Sequence, residues 1–198
     1  TSPSPPASGD LVVAEFMRDP TRVSDSEGEW LELSGARFPE AASLRSISVK
    51  DSGSDSFTLG VNLVLEAGEE IVVAANGFPS QNGGHRPQIV WPKGLFALAD
   101  SDSANLFYGP IAIDAVSWTS SWPGASGVSA ERIDLALPGL SSNFASALSS
   151  YGLGDLGTPG LDNDNDSSSW GGTSVKITTP PTVGGSLVMQ WSASGESN

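Results

Sequence analysis

The sequence predicts an all-β protein built as a sandwich of two packed sheets. Short apolar segments with alternating or β-branched residues recur along the chain, and Gly, Pro, Asn and Asp cluster between them. No long segment has the 3.6-residue apolar period of an amphipathic helix, which disfavours α/β architectures. The one helix candidate, residues 142–151, carries only a weak pattern.

The first nine residues, TSPSPPASG, are rich in Pro and Ser and predict a linker or stalk. A lipid anchor further upstream would suit such a stalk. Residues 11–17, LVVAEFM, predict the first strand, which Asp19-Pro20 ends. The two-residue period of a strand places Val12, Ala14 and Phe16 on one face.

The second predicted strand, residues 29–33, has Glu29, Leu31 and Leu33 on one face and Trp30 and Glu32 on the other. A long Gly-, Asn- and Gln-containing loop covers residues 76–92. In the strand predicted at 111–118, alternation places Asp114 on the face of Val116 and Trp118. The other strand segments are 44–50, 57–59, 62–65, 70–75, 95–100 and 106–109.

The composition changes after residue 160. A polar run follows, and residues 175–180 and 186–191 flank a Pro-Thr-Val-Gly-Gly turn. We therefore predict a sandwich domain over 10–162, followed over 163–198 by a polar linker and a β-hairpin extension too small to hold a core alone. Trp170 and Trp191 are the candidate docking contacts of that extension.

The composition excludes several classes of function. The chain of 198 residues has 23 Asp and Glu against 9 Lys and Arg, a formal net charge of −14, and no cysteine. A surface this acidic repels phosphate, so we expect neither nucleic acid nor an anionic membrane as partner. Disulfides, thiolate metal sites and cysteine nucleophiles are excluded. No apolar run is long enough to span a bilayer.

An ordered set of motifs resembles the lamin-tail domain of exported bacterial proteins. The set comprises GDLVVAEFMRDP, SEGEWLEL, LRSISVKDSGSDSFTL, LEAGEEIVVAA, IDAVSW, GVSAERI and DLGTPGLDND, and it spans about residues 10–162. The resemblance implies an immunoglobulin-like β-sandwich that acts as a non-catalytic interaction module, and it supplies no catalytic residues. Ser34-Gly35, where the family often has Asn, and the long 76–92 loop depart from its pattern.

Five charged residues stand in otherwise apolar strands: Glu15, Glu29, Glu32, Glu131 and Arg132. One hypothesis is a structural ion pair, in which the planar guanidinium of Arg132 binds one of the four carboxylates and fixes the loop after Trp118 to the first two strands. The alternative is that all five are edge or surface charges that protect against edge-to-edge pairing.

Three further motifs have both a functional and a structural interpretation. Asp162, Asp164 and Asp166 have the spacing of Ca²⁺ ligands, but Ser167 and Thr173 stand where a calcium loop has Gly and Glu, so a solvated acidic linker is the simpler interpretation. His85 is the single imidazole that a Ser-His-Asp hydrolase would need, and without a G-x-S-x-G elbow we expect an exposed loop histidine.

Trp118 and Trp122 are close enough in sequence to form a stacking platform for sugar rings, although such residues are more often core anchors. We therefore expect a non-enzymatic, extracellular or cell-surface module that contacts a protein or surface partner through its edges and loops. The alternative is a calcium-dependent carbohydrate-binding module with Ca²⁺ as its cofactor and a glycan as its partner.

Overall fold

The computed structural model describes residues 4–35, 37–38, 41–59 and 63–167, and these form an almost purely β structure. The predicted all-β sandwich class is confirmed. The described helical residues form one short α-helix, α1 (Asp25–Gly28), and one 3₁₀ turn, Ser141–Asn143. No described helix is long and apolar enough to cross a membrane.

A six-stranded sheet forms the first layer. Its strands are β1 (Val12–Met17), β2 (Trp30–Ser34), β7 (Glu70–Ala74), β8 (Ile89–Val90), β11 (Ala130–Arg132) and β12 (Phe144–Ser146). Their order across the sheet is β12-β11-β1-β2-β7-β8. Every pair is antiparallel except β7 with β8, which is parallel.

A four-stranded antiparallel sheet forms the second layer, in the order β10-β9-β4-β5. Its strands are β4 (Ile47–Lys50), β5 (Ser56–Thr58), β9 (Asp102–Tyr108) and β10 (Ile111–Trp118). Two small ribbons complete the described structure. They pair β3 (Ala42–Ser43) with β6 (Val64–Leu65), and β13 (Ser150–Tyr151) with β14 (Asp155–Leu156).

The core lies between the two large sheets. Leu31, Leu33 and Val73 from the first sheet pack in one cluster with Val49 and Leu106 from the second. Burial of this apolar surface is the main source of stability in such a fold. A smaller apolar cluster, Met17, Trp30, Val72 and Ala74, lies on the opposite, outer face of the six-stranded sheet.

A β-bulge in β1 overturns the face assignment that strict alternation predicts. The pairing of β1 with β2 shifts between Val13 and Glu15. Val13 and Phe16 therefore both enter the main core, whereas Val12 and Ala14 belong to a separate cluster with Leu135. One extra residue in a strand reverses the face of everything after it, and the sequence alternation alone does not show where it is inserted.

A second bulge lies in β10, between Ala112 and Asp114. Ile113, Val116 and Trp118 all enter the main core as a result. The helix candidate at 142–151 is wrong, because this segment forms the end of the 3₁₀ turn, then β12 and β13. The turn ends at Asn143, whose side-chain amide bonds to the backbone of residues 134, 137 and 138.

The described part of the polar run that begins at residue 162 belongs to the sandwich. Asn163 donates to Arg132 O over 2.9 Å, and Ser167 N donates to Ile133 O over 2.7 Å. The predicted boundary at residue 162 therefore falls inside a segment that is bonded to β11 and to the residue after it. The predicted hairpin at 175–191, Trp170 and Trp191 lie outside the described residues.

Candidate functional site

Three buried glutamates lie side by side on the outer face of the six-stranded sheet. Glu15 of β1 is in register with Glu131 of β11 on one side and with Glu32 of β2 on the other. All three side chains are fully buried. Glu70 of β7 extends the line, because its strand neighbour Val72 pairs with Glu32 and residues two apart share a face. We call Glu131, Glu15, Glu32 and Glu70 the carboxylate row.

Residues 157–167, the covering segment, lie over this row and donate hydrogen bonds to it. Thr158 gives its amide to Glu15 over 3.0 Å and its hydroxyl to Glu15 over 2.9 Å and to Glu131 over 3.2 Å. The Gly160 amide donates to Glu32. The side-chain amide of Asn165 donates to Glu131 over 2.8 Å. These donors explain how the polar end of each glutamate is tolerated away from water.

The carboxylate row brings four acidic side chains close together, and none of them forms one of the described ion pairs with a cation. Burial, together with the charge of Glu131, raises the pKa of Glu15 to about 8, although hydrogen bonds from Ser129 and Thr158 oppose the shift. Burial, and then repulsion by Glu70 and Glu15, raises the pKa of Glu32 well above its ordinary value. Burial raises the pKa of Glu70 to about 7. Protons therefore neutralise much of the row near pH 7.

One carboxylate oxygen in the row receives no amide or hydroxyl donor. Glu32 Oε2 accepts from Gly160, whereas the buried Glu32 Oε1 receives no such donor from the described residues, and the Glu32 side chain hydrogen-bonds with the Glu70 carboxyl. A bound proton on that oxygen would convert it from an unsatisfied acceptor into a donor facing its acidic neighbours. The Oδ1 atom of Asn163, in the covering segment, is also buried and has no hydrogen-bond partner in the described part of the chain.

Arg132 forms the bidentate ion pair that the sequence suggested, but the predicted partner was wrong. The guanidinium binds Asp114, with Nη1 2.8 Å from Oδ2 and Nη2 3.3 Å from Oδ1. Glu131 and Arg132 are consecutive in β11 and so point to opposite faces of the sheet. Glu15, Glu32 and Glu131 lie on the outer face, whereas Arg132 points toward the second sheet.

The ion pair joins the two layers of the sandwich. Asp114 Oδ2 also accepts the amide of Val13 over 2.9 Å, and Arg132 Nη1 donates to Val13 O over 3.2 Å. The guanidinium further donates to Leu137 O over 2.6 Å. Both bulges are thus held by one buried network of side chains. A cleft of about 360 Å³ opens beside it, with Arg37 and Leu135 among its lining residues.

Glu29, the fourth predicted acidic partner, lies apart from the carboxylate row. Its Oε2 accepts the amide of Leu98 over 3.0 Å, and this contact is buried. Burial raises the pKa of Glu29 to about 8, and the hydrogen bond from Leu98 opposes the shift. Glu29 therefore holds the 91–98 connection against the start of β2 and takes no part in the Arg132 pair.

His85 is buried, so the expectation of an exposed loop histidine was wrong. Its ring is 3% exposed and packs against Trp30 at 6.0 Å and Tyr151 at 6.2 Å between ring centroids. Neither ring nitrogen has a hydrogen-bond partner among the described residues. Burial lowers the pKa of His85 to about 4, which leaves the imidazole neutral at pH 7.

The two tryptophans do not form a sugar-stacking platform. Trp118 is 2% exposed, stacks on Phe16 at 4.3 Å between centroids, and donates its indole N–H to Ala99 O. Trp122 is half-buried and packs against Phe144 at 5.3 Å between centroids. Trp118 is therefore a core anchor, and the predicted carbohydrate contact loses one of its two rings.

The three aspartates predicted as calcium ligands lie in the covering segment. The Asp164 carboxylate accepts the amides of Leu148 and Ser149, the former over 2.9 Å. Asp162 and Asp166 contribute negative charge near Glu70. Within the described ranges, no group of three or more His, Asp or Glu side chains is arranged to hold a metal ion.

A second candidate surface lies at the β8 edge of the six-stranded sheet. No described strand pairs with the outer side of β8. Val90 in this strand is 48% exposed, and Phe78 in the preceding loop is 68% exposed. The loop approaches β8 closely, since a Cβ added to Gly77 would lie 3.0 Å from Val90 Cγ2. We call Phe78 and Val90 the edge patch.

Sequence reasoning missed several residues that shape these sites. Asp114 was the one charged residue in a mostly apolar predicted strand, which was a signal for a buried partner. Thr158 and Gly160 appeared only as family motif residues, and nothing local indicated that their amides face glutamates. Glu70 was predicted only as the first residue of the 70–75 strand, and nothing marked it as part of a buried cluster.

No protein-family model matches this chain, and no curated protein matches it.

Proposed function

We propose that the described domain is a non-enzymatic interaction module of the lamin-tail type, with an immunoglobulin-like sandwich, in an exported or cell-surface protein. The convergence of the motif residues supports the assignment. Glu15 from the opening strand, Glu32 from the GEWLEL strand, Glu131 from the SAER element and Thr158 from the GTPG turn meet in one hydrogen-bonded cluster. Motifs far apart in sequence thus build one structural feature.

The observation that carries the binding role is the edge patch. An unpaired strand edge offers backbone groups that an extended segment of a partner can join, and apolar side chains beside it supply buried contact area. Phe78 and Val90 supply such side chains at the outer edge of β8. The proposed partner is therefore a protein that adds an extended segment at this edge.

The proposal is tested by binding to surface proteins of the source cell. The wild-type domain, a Phe78→Ser variant and a Leu153→Ser variant are immobilised, and retained proteins are identified by mass spectrometry. Leu153 is the matched control, because it is 59% exposed but lies in the β13–β14 turn rather than at β8. We expect retention to be lost with Phe78→Ser and kept with Leu153→Ser. Equal retention by both variants would contradict the proposal.

The carbohydrate alternative is separated by a glycan array run with and without a chelator. The interaction-module proposal predicts no glycan signal that depends on calcium. A calcium-dependent signal that a Trp122→Ala variant loses would replace the proposed function with the carbohydrate-binding one.

A further inference from the structure

We propose that the covering segment is a pH-controlled strap, held on the sheet while Glu15 or Glu32 carries a proton and released when both ionise. The geometry that supports this is the register. Glu15 and Glu32 are directly opposite one another on neighbouring strands, and both are enclosed by the same short segment. Like charges directly opposite each other in a sheet are destabilising, and more so away from water.

One ionised glutamate is well accommodated in this arrangement. Glu15 accepts hydrogen bonds from the Ser129 hydroxyl and from the amide and hydroxyl of Thr158. Glu32 receives only the Gly160 amide as a donor from the covering segment, and its side chain hydrogen-bonds with the Glu70 carboxyl, which requires a proton between the two. A proton on Glu32 supplies that donor, whereas a second negative charge leaves two buried carboxylates facing each other with no donor between them.

The surroundings add negative charge from every packed element. Glu131 faces Glu15 from β11, and Glu70 faces Glu32 from β7. The covering segment itself carries Asp162 and Asp166 near Glu70, and Asp164 near Glu131. Burial, and then the charges of Asp155 and Glu15, raise the pKa of Tyr151 in β13, which lies close to the row. Ionisation of Glu15 and Glu32 together therefore has no nearby described cation to offset it.

The covering segment is the element that this repulsion would displace. The segment joins the outer sheet face mainly through donors to the carboxylate row and through Asn163, whose amide bonds to Ala14 O and Arg132 O. The main core lies on the other side of the sheet and does not depend on these contacts. Gly157 packs against the Trp30 ring, so release would also uncover that side chain.

Amide hydrogen exchange tests the strap directly. The readout is the protection of the Thr158 and Gly160 amides, corrected for the intrinsic pH dependence of exchange, with Leu31 and Val73 as core references. We expect the two strap amides of the wild-type chain to lose protection by about tenfold or more between about pH 6 and about pH 9, while the references keep theirs. Protection that does not change with pH, or that falls equally at the references, would overturn the proposal.

Glutamine variants supply the decisive comparison. Glu32→Gln keeps an acceptor for Gly160 and places an N–H₂ donor where the proton would be, so it mimics the protonated side chain at every pH. We expect its strap amides to lose less than about twofold protection over the same range. Glu15→Gln offers the same comparison. Glu66→Gln, at an exposed turn position, is the control, and we expect it to lose protection as the wild type does. A wild-type-like loss in both row variants would overturn the proposal.

A divalent cation is the competing way to neutralise the row. Wild-type protein at about pH 9 is therefore measured with and without about millimolar CaCl₂, a range typical of extracellular sites. Unchanged low protection supports the proton-controlled strap. Recovery of strap protection with calcium would assign the row to a metal ion instead and overturn it.

Discussion

Arg132 shows how a single buried ion pair can fix the geometry of a whole sandwich. Its side chain is 2% exposed and that of Asp114 is 8% exposed, so the pair is removed from water. Their shared contacts with Val13 join β1, β10 and β11 at the two bulges. Bulges are weak points of a ladder unless the displaced backbone groups find partners, and this network supplies them.

Truncation of this pair tests its structural weight. Arg132→Ala leaves the Asp114 carboxylate buried and unpaired, and we expect the free energy of unfolding to fall by about 3–5 kcal/mol in urea denaturation. Lys93→Ala is the matched control, since it removes the exposed Lys93–Glu27 pair, and we expect no measurable change. A loss below about 1 kcal/mol for Arg132→Ala would show that the pair is not buried in solution.

His85 predicts a loss of stability in acid. Its pKa is about 4 in the folded chain and near 6.5 when unfolded, so the unfolded state binds the proton more tightly. The stability that this neutral ring contributes is therefore complete above about pH 6.5 and is lost as the pH falls through about 4. His85→Leu replaces the titrating imidazole with an apolar side chain of similar size.

The measurement is the difference between variant and wild type, because the glutamates titrate in both. We expect His85→Leu to gain about 1–3 kcal/mol relative to wild type between about pH 7 and pH 4. A difference that is the same at both pH values would mean that the imidazole is accessible to protons in the folded chain.

At the scale of elements, the sequence patterns predicted the positions of the strands better than the sheet face on which each side chain lies. β2 followed strict alternation, and its Leu31 and Leu33 entered the core as predicted. β1 and β10 each contain a bulge, and one inserted residue is enough to reverse every later side chain. Bulge positions depend on which strand lies opposite, so an alternation read from a single strand cannot locate them. The Arg132 partner was missed for the same reason.

The 76–92 loop was predicted as a long loop with an exposed histidine, but it is anchored on the β13–β14 ribbon. Leu153 N donates to Gly83 O over 2.9 Å, and this contact helps to bury His85. The anchor depends on two glycines in contact. A Cβ added to Gly152 would lie 1.9 Å from Gly83 O, and one added to Gly84 would lie 2.6 Å from Gly152 Cα.

This close approach predicts a large effect of Gly152→Ala. Its φ of +45° is unfavourable for alanine, and the added methyl also collides with backbone that cannot move aside independently. Gly68→Ala is the matched control, because Gly68 has a φ of +83° but open space around it. We expect the control to lose about 1–2 kcal/mol and Gly152→Ala clearly more in chemical denaturation. Equal losses would show that the loop does not rest on the ribbon.

For the whole molecule, the dominant physical property is its charge. A formal net charge of −14 on 198 residues repels itself throughout the folded chain. The carboxylate row limits that repulsion by keeping protons on buried glutamates, and the apolar interior between the sheets supplies the opposing stability. The fold class followed from the sequence because it depends on many short strands. The carboxylate row could not be predicted in this way, since it depends on how four strands are aligned with one another.

The charge predicts how salt acts on thermal stability. NaCl screens repulsion between exposed carboxylates, so we expect the unfolding midpoint to rise when ionic strength increases from about 0.02 M to about 0.3 M. CaCl₂ at matched ionic strength separates screening from binding, because a cation bound only by the folded state adds stability in proportion to its occupancy. With no described group of acids arranged to hold a metal ion, equal midpoints in the two salts are expected. A clearly higher midpoint in CaCl₂, abolished in an Asp162→Asn, Asp164→Asn variant, would instead show that the aspartate run binds calcium.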